Sequence, residues 1–213
     1  MRFEKNHSLS SQLWLKRQAK DRYTIGAKEQ GYFSRAAFKL IAIQKKYKIF
    51  KLGQYVLDLG SAPGSWTQVA LQYTSKELDN NVVGIDLLET NEITGAIGLR
   101  ADIFAEDINN IIDKYLPSSE CNVILSDMAP NTSGDKGLDH LRIMNLCEAA
   151  DDIADTFLSK GGHMILKIFH GLQEEDFVKK LRQKYKKVTY FKPEASRKSS
   201  NEIYLVCLHK QIS

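Results

Sequence analysis

The sequence predicts an α/β domain, with a mostly parallel seven-stranded sheet, an antiparallel edge strand and helices on both faces. Three observations carry this. Short apolar runs alternate with stretches of helical period along most of the chain, the pattern of repeated β-α-β units. One run, Val56-Leu-Asp-Leu59, enters a small-residue turn, Gly60-Ser-Ala-Pro-Gly64, which opens a helix and so creates a ligand site at the carboxyl end of a strand. The last two strands have only a short polar loop between them, residues 192–201, which allows an antiparallel pair at one edge.

Composition bounds the function classes. The chain has 213 residues, enough for one domain with an appendage. Hydrophobic residues make up 43% and charged residues 26%, which argues against a disordered or membrane class. No apolar stretch approaches the ~20 residues that span a bilayer, and the first residues lack the apolar segment of a secretory signal, so a cytoplasmic location without membrane partners is expected. Cys121, Cys147 and Cys207 are odd in number and scattered, which fits neither a disulfide framework nor a zinc site. The five histidines, His163 and His170 among them, have no metal spacing, and no metal is expected. Asn131-Thr-Ser matches a glycosylation pattern only nominally.

The net charge of +4 is modest, but its distribution is not even. Up to Lys51 there are thirteen Lys and Arg against three acids, Glu4, Asp21 and Glu29. A basic end beside a nucleotide-sized pocket is the pattern of a polyanion binder.

Taken in order, residues 1–33 form a basic N-terminal arm with some helix, and residues 34–213 form the main domain. Trp14, Tyr23, Tyr32 and Phe33 interleave with the basic residues, so they either stack bases or pin the arm to the domain. Ser34 is placed to cap a helix running to about Tyr47, with Ala37, Phe38, Leu40, Ile41 and Ile43 as its apolar face and Lys39 at the edge of that face. The strand at Val56 leads through the turn to a helix ending near Tyr73. Gly60 and Gly64 free the backbone where a side chain would block a ligand, and the helix directs unpaired N–H groups to the same place. Ala62 and Pro63 stand where a dinucleotide fingerprint has its second glycine, so the turn suits an uncharged or cationic nucleoside better than a pyrophosphate.

Asn81 to Asp86 is the second strand, and Asp86 lies where a carboxylate binds ribose hydroxyls in such folds. Ile97 to Asp102 has the same form. A helix over about 105–115 precedes the buried strand from Asn122, which has Asp127 at its tip. A long helix spans roughly 138–159 and is ended by Gly161-Gly162. His163 to Phe169 is a strand with Lys167 inside its apolar run, and a helix over about 174–185 follows. The final strands lie near Lys187–Phe191 and Ile203–Leu208, with Glu202 at the head of the last.

A lysine in a buried strand is costly unless it has a partner or a task. Lys167 and Asp127 both fall at carboxyl ends of strands, and Lys39 and Glu202 join them from the flanking helix and the last strand. Two lysines and two carboxylates around one cleft are suited to holding and deprotonating a hydroxyl.

Asp58-Leu-Gly-Ser-Ala-Pro-Gly-Ser-Trp66, Ser126-Asp-Met-Ala-Pro-Asn-Thr-Ser-Gly134 and the spaced Lys39, Asp127, Lys167 and Glu202 resemble the RrmJ/FtsJ family of RNA ribose 2′-O-methyltransferases. Ser34-Arg-Ala-Ala-Phe-Lys-Leu40 is similar to the N-terminal motif of that family, and the short form resembles its bacterial ribosomal members. The resemblance implies a Rossmann-like S-adenosylmethionine-dependent methyltransferase fold. It also implies S-adenosylmethionine as cofactor, with Gly64 and Trp66 near its methionine end, Asp86 on the ribose, Asp102 near adenine and Asp127 beside the amino acid and the reaction centre. The implied catalytic residues are Lys167, Asp127, Lys39 and Glu202. The implied acceptor is the 2′-hydroxyl of a uridine in large-subunit ribosomal RNA, on free RNA or the ribosomal subunit, with the protein acting as a monomer. Lys167 acts as general base, which requires it to be neutral at some stage, or orients the hydroxyl as a cation. Competing readings are methylation of transfer RNA, a non-catalytic RNA-binding assembly factor, a dehydrogenase, which lacks its glycine pattern here, and an amine methyltransferase, whose Pro-Pro-Tyr signature is replaced by Met128-Ala-Pro130.

Overall fold

The computed structural model describes residues 21–75, 80–130, 133–169, 174–197 and 200–211. Trp14, His170, Asn131 and Thr132 lie outside them. Helix α1 (Arg22–Glu29) and α2 (Ala37–Tyr47) precede strand β1 (Val56–Leu59) and α3 (Ser65–Thr74). Strands β2 (Val82–Asp86) and β3 (Ala96–Arg100) follow, then α4 (Ile108–Asp113) and a 3₁₀ turn at Pro117–Ser119. The rest is β4 (Cys121–Ser126), α5 (Lys136–Phe157), β5 (Leu158–Phe169), α6 (Glu174–Lys184), β6 (Tyr185–Phe191) and β7 (Glu202–Lys210).

The strands form one seven-stranded sheet in the order β3-β2-β1-β4-β5-β7-β6. The first five pair in parallel, and β7 runs antiparallel to both β5 and β6. The closing β6–β7 hairpin therefore makes the antiparallel edge, with β7 tucked inside and β6 outermost. Chain order reverses between β1 and β4, so a crevice opens above their carboxyl ends.

Side chains alternate across the sheet with a period of two and feed two cores. Leu57, Leu59, Ile124, Met164, Leu166, Leu205 and Cys207 pack with α4, α5 and α6 on one face. Val56, Val123, Leu125, Ile165, Tyr204 and Val206 pack with α2 and α3 on the other. The three cysteines are free and buried as packing groups. The same parity puts Lys167, two residues after Ile165, and Glu202, two before Tyr204, on the α2 face. It is the face that matters for the chemistry.

Two local expectations need correction. Ser34 is not the residue at the helix cap: α2 begins after Ala36 with no side-chain cap, while Ser34 Oγ accepts from Ala36 N at 3.2 Å one step earlier and shares a hydrogen bond with Ser65 Oγ at 2.8 Å. That bond ties the start of α2 to the start of α3. Nor do Gly161 and Gly162 end the long helix, which stops at Phe157 and passes directly into β5. Cys121 pairs with Leu158 and Val123 with His163, so the intervening residues bulge out of β5. Gly161 has φ +81°, and a Cβ on Gly162 would lie 2.9 Å from the Asn122 carbonyl oxygen.

Helix α1 is capped by Asp21, whose carboxylate accepts from Tyr23 N at 3.0 Å. Tyr23 and Tyr32 both pack on Phe38 of α2, with ring centroids 5.5 and 6.0 Å apart. Phe33 is 42% exposed. Asp151, Asp152 and Asp155 converge on α5, but Lys180 and Lys184 both pair with Asp151 Oδ2, at 2.9 and 2.8 Å, so the group pins α6 to α5.

Candidate active site

Two clefts lie at this end of the sheet, the first beyond the carboxyl ends of β1, β2, β3 and β4, and Asp127 of the first and Lys39 of the second are 3.8 Å apart. The first, of about 370 Å³, is walled by Asp86, Asp102 and Asp127, with apolar Phe104, Met128 and Leu146 among its lining residues. No lysine or arginine lines it. The second, of about 340 Å³, lies between the α2 start and the β6–β7 loop and is lined by Arg35, Lys39, Arg197 and Glu202.

At the junction the structure brings Lys39, Asp127, Lys167 and Glu202 together. Asp127 follows β4 and Lys167 lies in β5, where Ser126 pairs with Leu166, so the two fall side by side. Lys167 Nζ is 3.1 Å from Asp127 Oδ1 and also donates to the Asp127 main-chain carbonyl. Lys39 Nζ donates to Glu202 Oε2 at 2.8 Å and lies 3.8 Å from Asp127 Oδ2. Ser196 Oγ donates to Glu202 Oε1 at 2.8 Å. The Arg35 guanidinium holds the β6–β7 loop through the Ala195 carbonyl and pairs with Asp21.

Burial alone would lift the Asp127 carboxyl, but the Lys167 and Lys39 cations and its hydrogen bonds outweigh that and hold it below the usual carboxylate range. Asp127 is therefore a carboxylate at neutral pH. Asp58, fully buried in β1, has no such cation: burial pushes it up to about 7 despite a 2.7 Å hydrogen bond from Thr67 Oγ1, and the charges of Asp127 and Asp86 add to the effect.

Two carboxylates of the acidic cleft are held by main-chain amides. Asp86 Oδ2 accepts from Ala62 N and Oδ1 from Leu88 N, both at 2.9 Å, which fixes the acid against the nucleotide turn. Asp102 Oδ1 accepts from Phe104 N at 3.0 Å. Both residues line the cleft.

Gly60 lines the acidic cleft, and both glycines of the turn also let neighbouring side chains approach the backbone. A Cβ on Gly60, at φ +75°, would fall 2.4 Å from Met128 Cγ and 3.1 Å from Met128 Cα. One on Gly64, at φ +111°, would meet Ile93 and Phe33. Trp66 is 2% exposed; its indole N–H donates to the Ala36 carbonyl at 2.9 Å. Neither Gly64 nor the Trp66 side chain lines the acidic cleft.

Sequence reasoning missed Tyr204, whose hydroxyl donates to Asp127 Oδ1 at 2.7 Å, as well as Ser196 and Arg197. The available signal was Tyr204 two residues after Glu202 in a strand, hence on the same face.

The FtsJ-like methyltransferase family model matches residues 32–210. The ribosomal RNA large subunit methyltransferase E of Ehrlichia chaffeensis is 46% identical over 200 residues, covering 94% of this chain and 93% of its own. That of Rickettsia bellii is 42% identical over 210 residues, covering 97% and 92%. A crystal structure of a ribosomal RNA methyltransferase from Plasmodium falciparum superposes with a TM-score of 0.74 at 31% identity, covering 84% of this chain and 98% of that one. The chain belongs to the FtsJ-like methyltransferase family.

Proposed function

We propose that this protein methylates the ribose 2′-hydroxyl of a uridine in large-subunit ribosomal RNA, using S-adenosylmethionine. The observation that carries the reading is the Lys39–Asp127–Lys167–Glu202 cluster where an acidic cleft meets a basic one. A cationic nucleoside fits the acidic cleft on electrostatic grounds, since three carboxylates and no cation line it. A pyrophosphate does not fit there. Asp86 would hold the ribose diol, Asp102 the adenine amino group and Asp127 the methionine amino group; Gly64 and Trp66 would contribute main chain only, because the Trp66 side chain belongs to the core. When bound, S-adenosylmethionine supplies an electrophilic methyl group.

The chain's own residues prepare the acceptor. Lys39 and Glu202 orient the ribose from the basic cleft, and Arg35 and Arg197 hold adjoining phosphates. Lys167, fixed by two acceptors on Asp127, takes the hydroxyl proton as the oxygen attacks, provided it enters that step neutral. Positioning carries much of the rate. Residues 1–33 serve as a basic arm on RNA and residues 34–213 as the methyltransferase domain, in keeping with a family match that begins at residue 32. The names of the relatives favour ribosomal over transfer RNA. Among the described residues no helix is long and apolar enough to cross a membrane; we place the protein in the cytoplasm, as a monomer on its RNA.

The test is transfer of a labelled methyl group to large ribosomal subunits that lack the modification, with naked ribosomal RNA and transfer RNA in parallel, followed by mapping of the modified ribose. Label on a base, or on transfer RNA alone, would refute the reading.

A further inference from the structure

Among the described residues, Lys167, Lys39 and Tyr204 pair with the Asp127 carboxylate, and Tyr204 carries no charge. Tyr204 is fully buried and lines neither cleft. Its hydroxyl donates to Asp127 Oδ1 at 2.7 Å, the oxygen that Lys167 Nζ meets at 3.1 Å. Tyr204 is the register partner of Lys167 across β5 and β7, so the two donors reach one oxygen from adjacent strands. The ring lies 5.6 Å from that of Trp66, and Lys39 Nζ sits 5.7 Å from its centroid. Burial, then the charges of Asp127 and Glu202 and hydrogen bonding to both, hold the phenol well above its ordinary range, so it stays protonated and meets a carboxylate only as donor, with its 2.7 Å bond directed to Asp127.

We propose that Tyr204 is a positioning residue for methyl transfer, fixing the Asp127 carboxylate by a buried neutral hydrogen bond so that Oδ1 serves Lys167 and Oδ2 faces Lys39. The inference rests on the methyltransferase reading of the site. Its reason is geometric. Asp127 follows the last residue of β4 and has two rotatable side-chain bonds; either carboxylate oxygen would satisfy either lysine by charge alone. The phenol removes that equivalence by committing to Oδ1. Being neutral, it does so without adding a third cation to a cluster that already sets Lys39 and Lys167 against Asp127 and Glu202. A reacting group displaced by about 1 Å can lose on the order of 100-fold in rate.

Tyr204→Phe keeps the ring in its place and removes the hydroxyl alone. For the variant we expect kcat to fall by about 10- to 100-fold with KM for RNA unchanged. The Asp127 carboxyl, followed by ¹³C NMR, should titrate at higher pH than in the unmutated protein, having lost a donor to its charged form. A purely structural tyrosine predicts lower thermal stability with kcat per folded molecule intact. Unaltered kcat, or an Asp127 titration that does not move, overturns the proposal. The titration needs no turnover: if the unmutated protein transfers no methyl group the methyltransferase reading fails, while the carboxyl titration still decides whether Tyr204 fixes Asp127.

Discussion

Asp58→Asn should remove a pH dependence that the fold builds into its central strand. Asp58 lies in β1 at zero exposure; its Oδ2 accepts from Thr67 Oγ1, and its Oδ1 has no hydrogen-bond partner. Burial first, and the neighbouring carboxylates next, push its titration up to about 7, from about 4 in an unfolded chain. A carboxyl whose folded value is raised contributes stability that is fully present below the unfolded value and is lost as pH rises through the folded one. Between about pH 4 and 7 the protein should therefore lose stability at roughly 1.4 kcal/mol per pH unit from this group, for a total on the order of 4 kcal/mol. Asparagine keeps an acceptor for Thr67 and cannot ionise, but it leaves an amide without a partner where Oδ1 had none, a cost of about 1–3 kcal/mol. The variant should be less stable than the parent at pH 5 and level with it or more stable at pH 8. His163 runs the other way: burial, His209 and Lys51 lower it to about 4, so its contribution is present above about 6.5 and lost as pH falls. That slope is common to both proteins and cancels in the difference. Urea unfolding of parent and variant at several values from pH 5 to 8 makes the measurement, and stability curves that run parallel would refute the reasoning.

Three further expectations follow from other parts of the site. Lys167→Ala should abolish single-turnover methyl transfer while S-adenosylmethionine binding, measured by calorimetry, stays within a few-fold of the parent, and retained transfer would remove Lys167 from the chemistry. RNA affinity should fall steeply with salt, and Arg35→Ala and Arg197→Ala should each lower the log–log salt slope by about one, the share of a single phosphate contact; an unchanged slope would take those residues off the RNA. Gly60→Ala should destabilise the domain by at least ~2 kcal/mol, because alanine at φ +75° is strained and its Cβ would meet the Met128 backbone, and a thermal midpoint equal to the parent's would contradict this.

The inner strands were legible because each is built on a short apolar run, and the cluster was legible because a lysine inside such a run asks for a partner. Less visible features share a cause, namely that one local signal serves two structures. A glycine pair after a helical pattern reads as a helix stop, yet Gly161 and Gly162 form a bulge inside β5. A serine before an apolar run reads as a cap, and Ser34 Oγ does accept from Ala36 N ahead of the helix, but it also bonds to Ser65 across space. Glycines in such a turn read as space for ligand, and Gly60 does line the acidic cleft, but the space of its missing Cβ is taken by Met128, a neighbour 68 positions on that no local signal announces. Tyrosine is an ordinary strand residue, so nothing in Tyr204 announces a bond to an acid 77 positions away.

The reversed strand explains how a residue from the end of the chain reaches chemistry set up by its middle. Ligand crevices in parallel sheets form at the carboxyl ends of the strands. Asp127 and Lys167 arrive there by ending β4 and nearly ending β5. A seventh strand parallel to these would place its first residue at the opposite edge of the sheet. Because β7 is antiparallel, its first residue, Glu202, pairs with Phe169 near the end of β5, and Tyr204 pairs with Lys167. The register is as necessary as the direction, since a slip of one residue would turn Glu202 and Tyr204 away from α2 and leave Lys39 without its carboxylate. The acidic cleft draws on strands from the parallel part of the sheet and the basic cleft on α2 and the start of β7. The antiparallel hairpin is thus the element that sets the basic cleft against the acidic one.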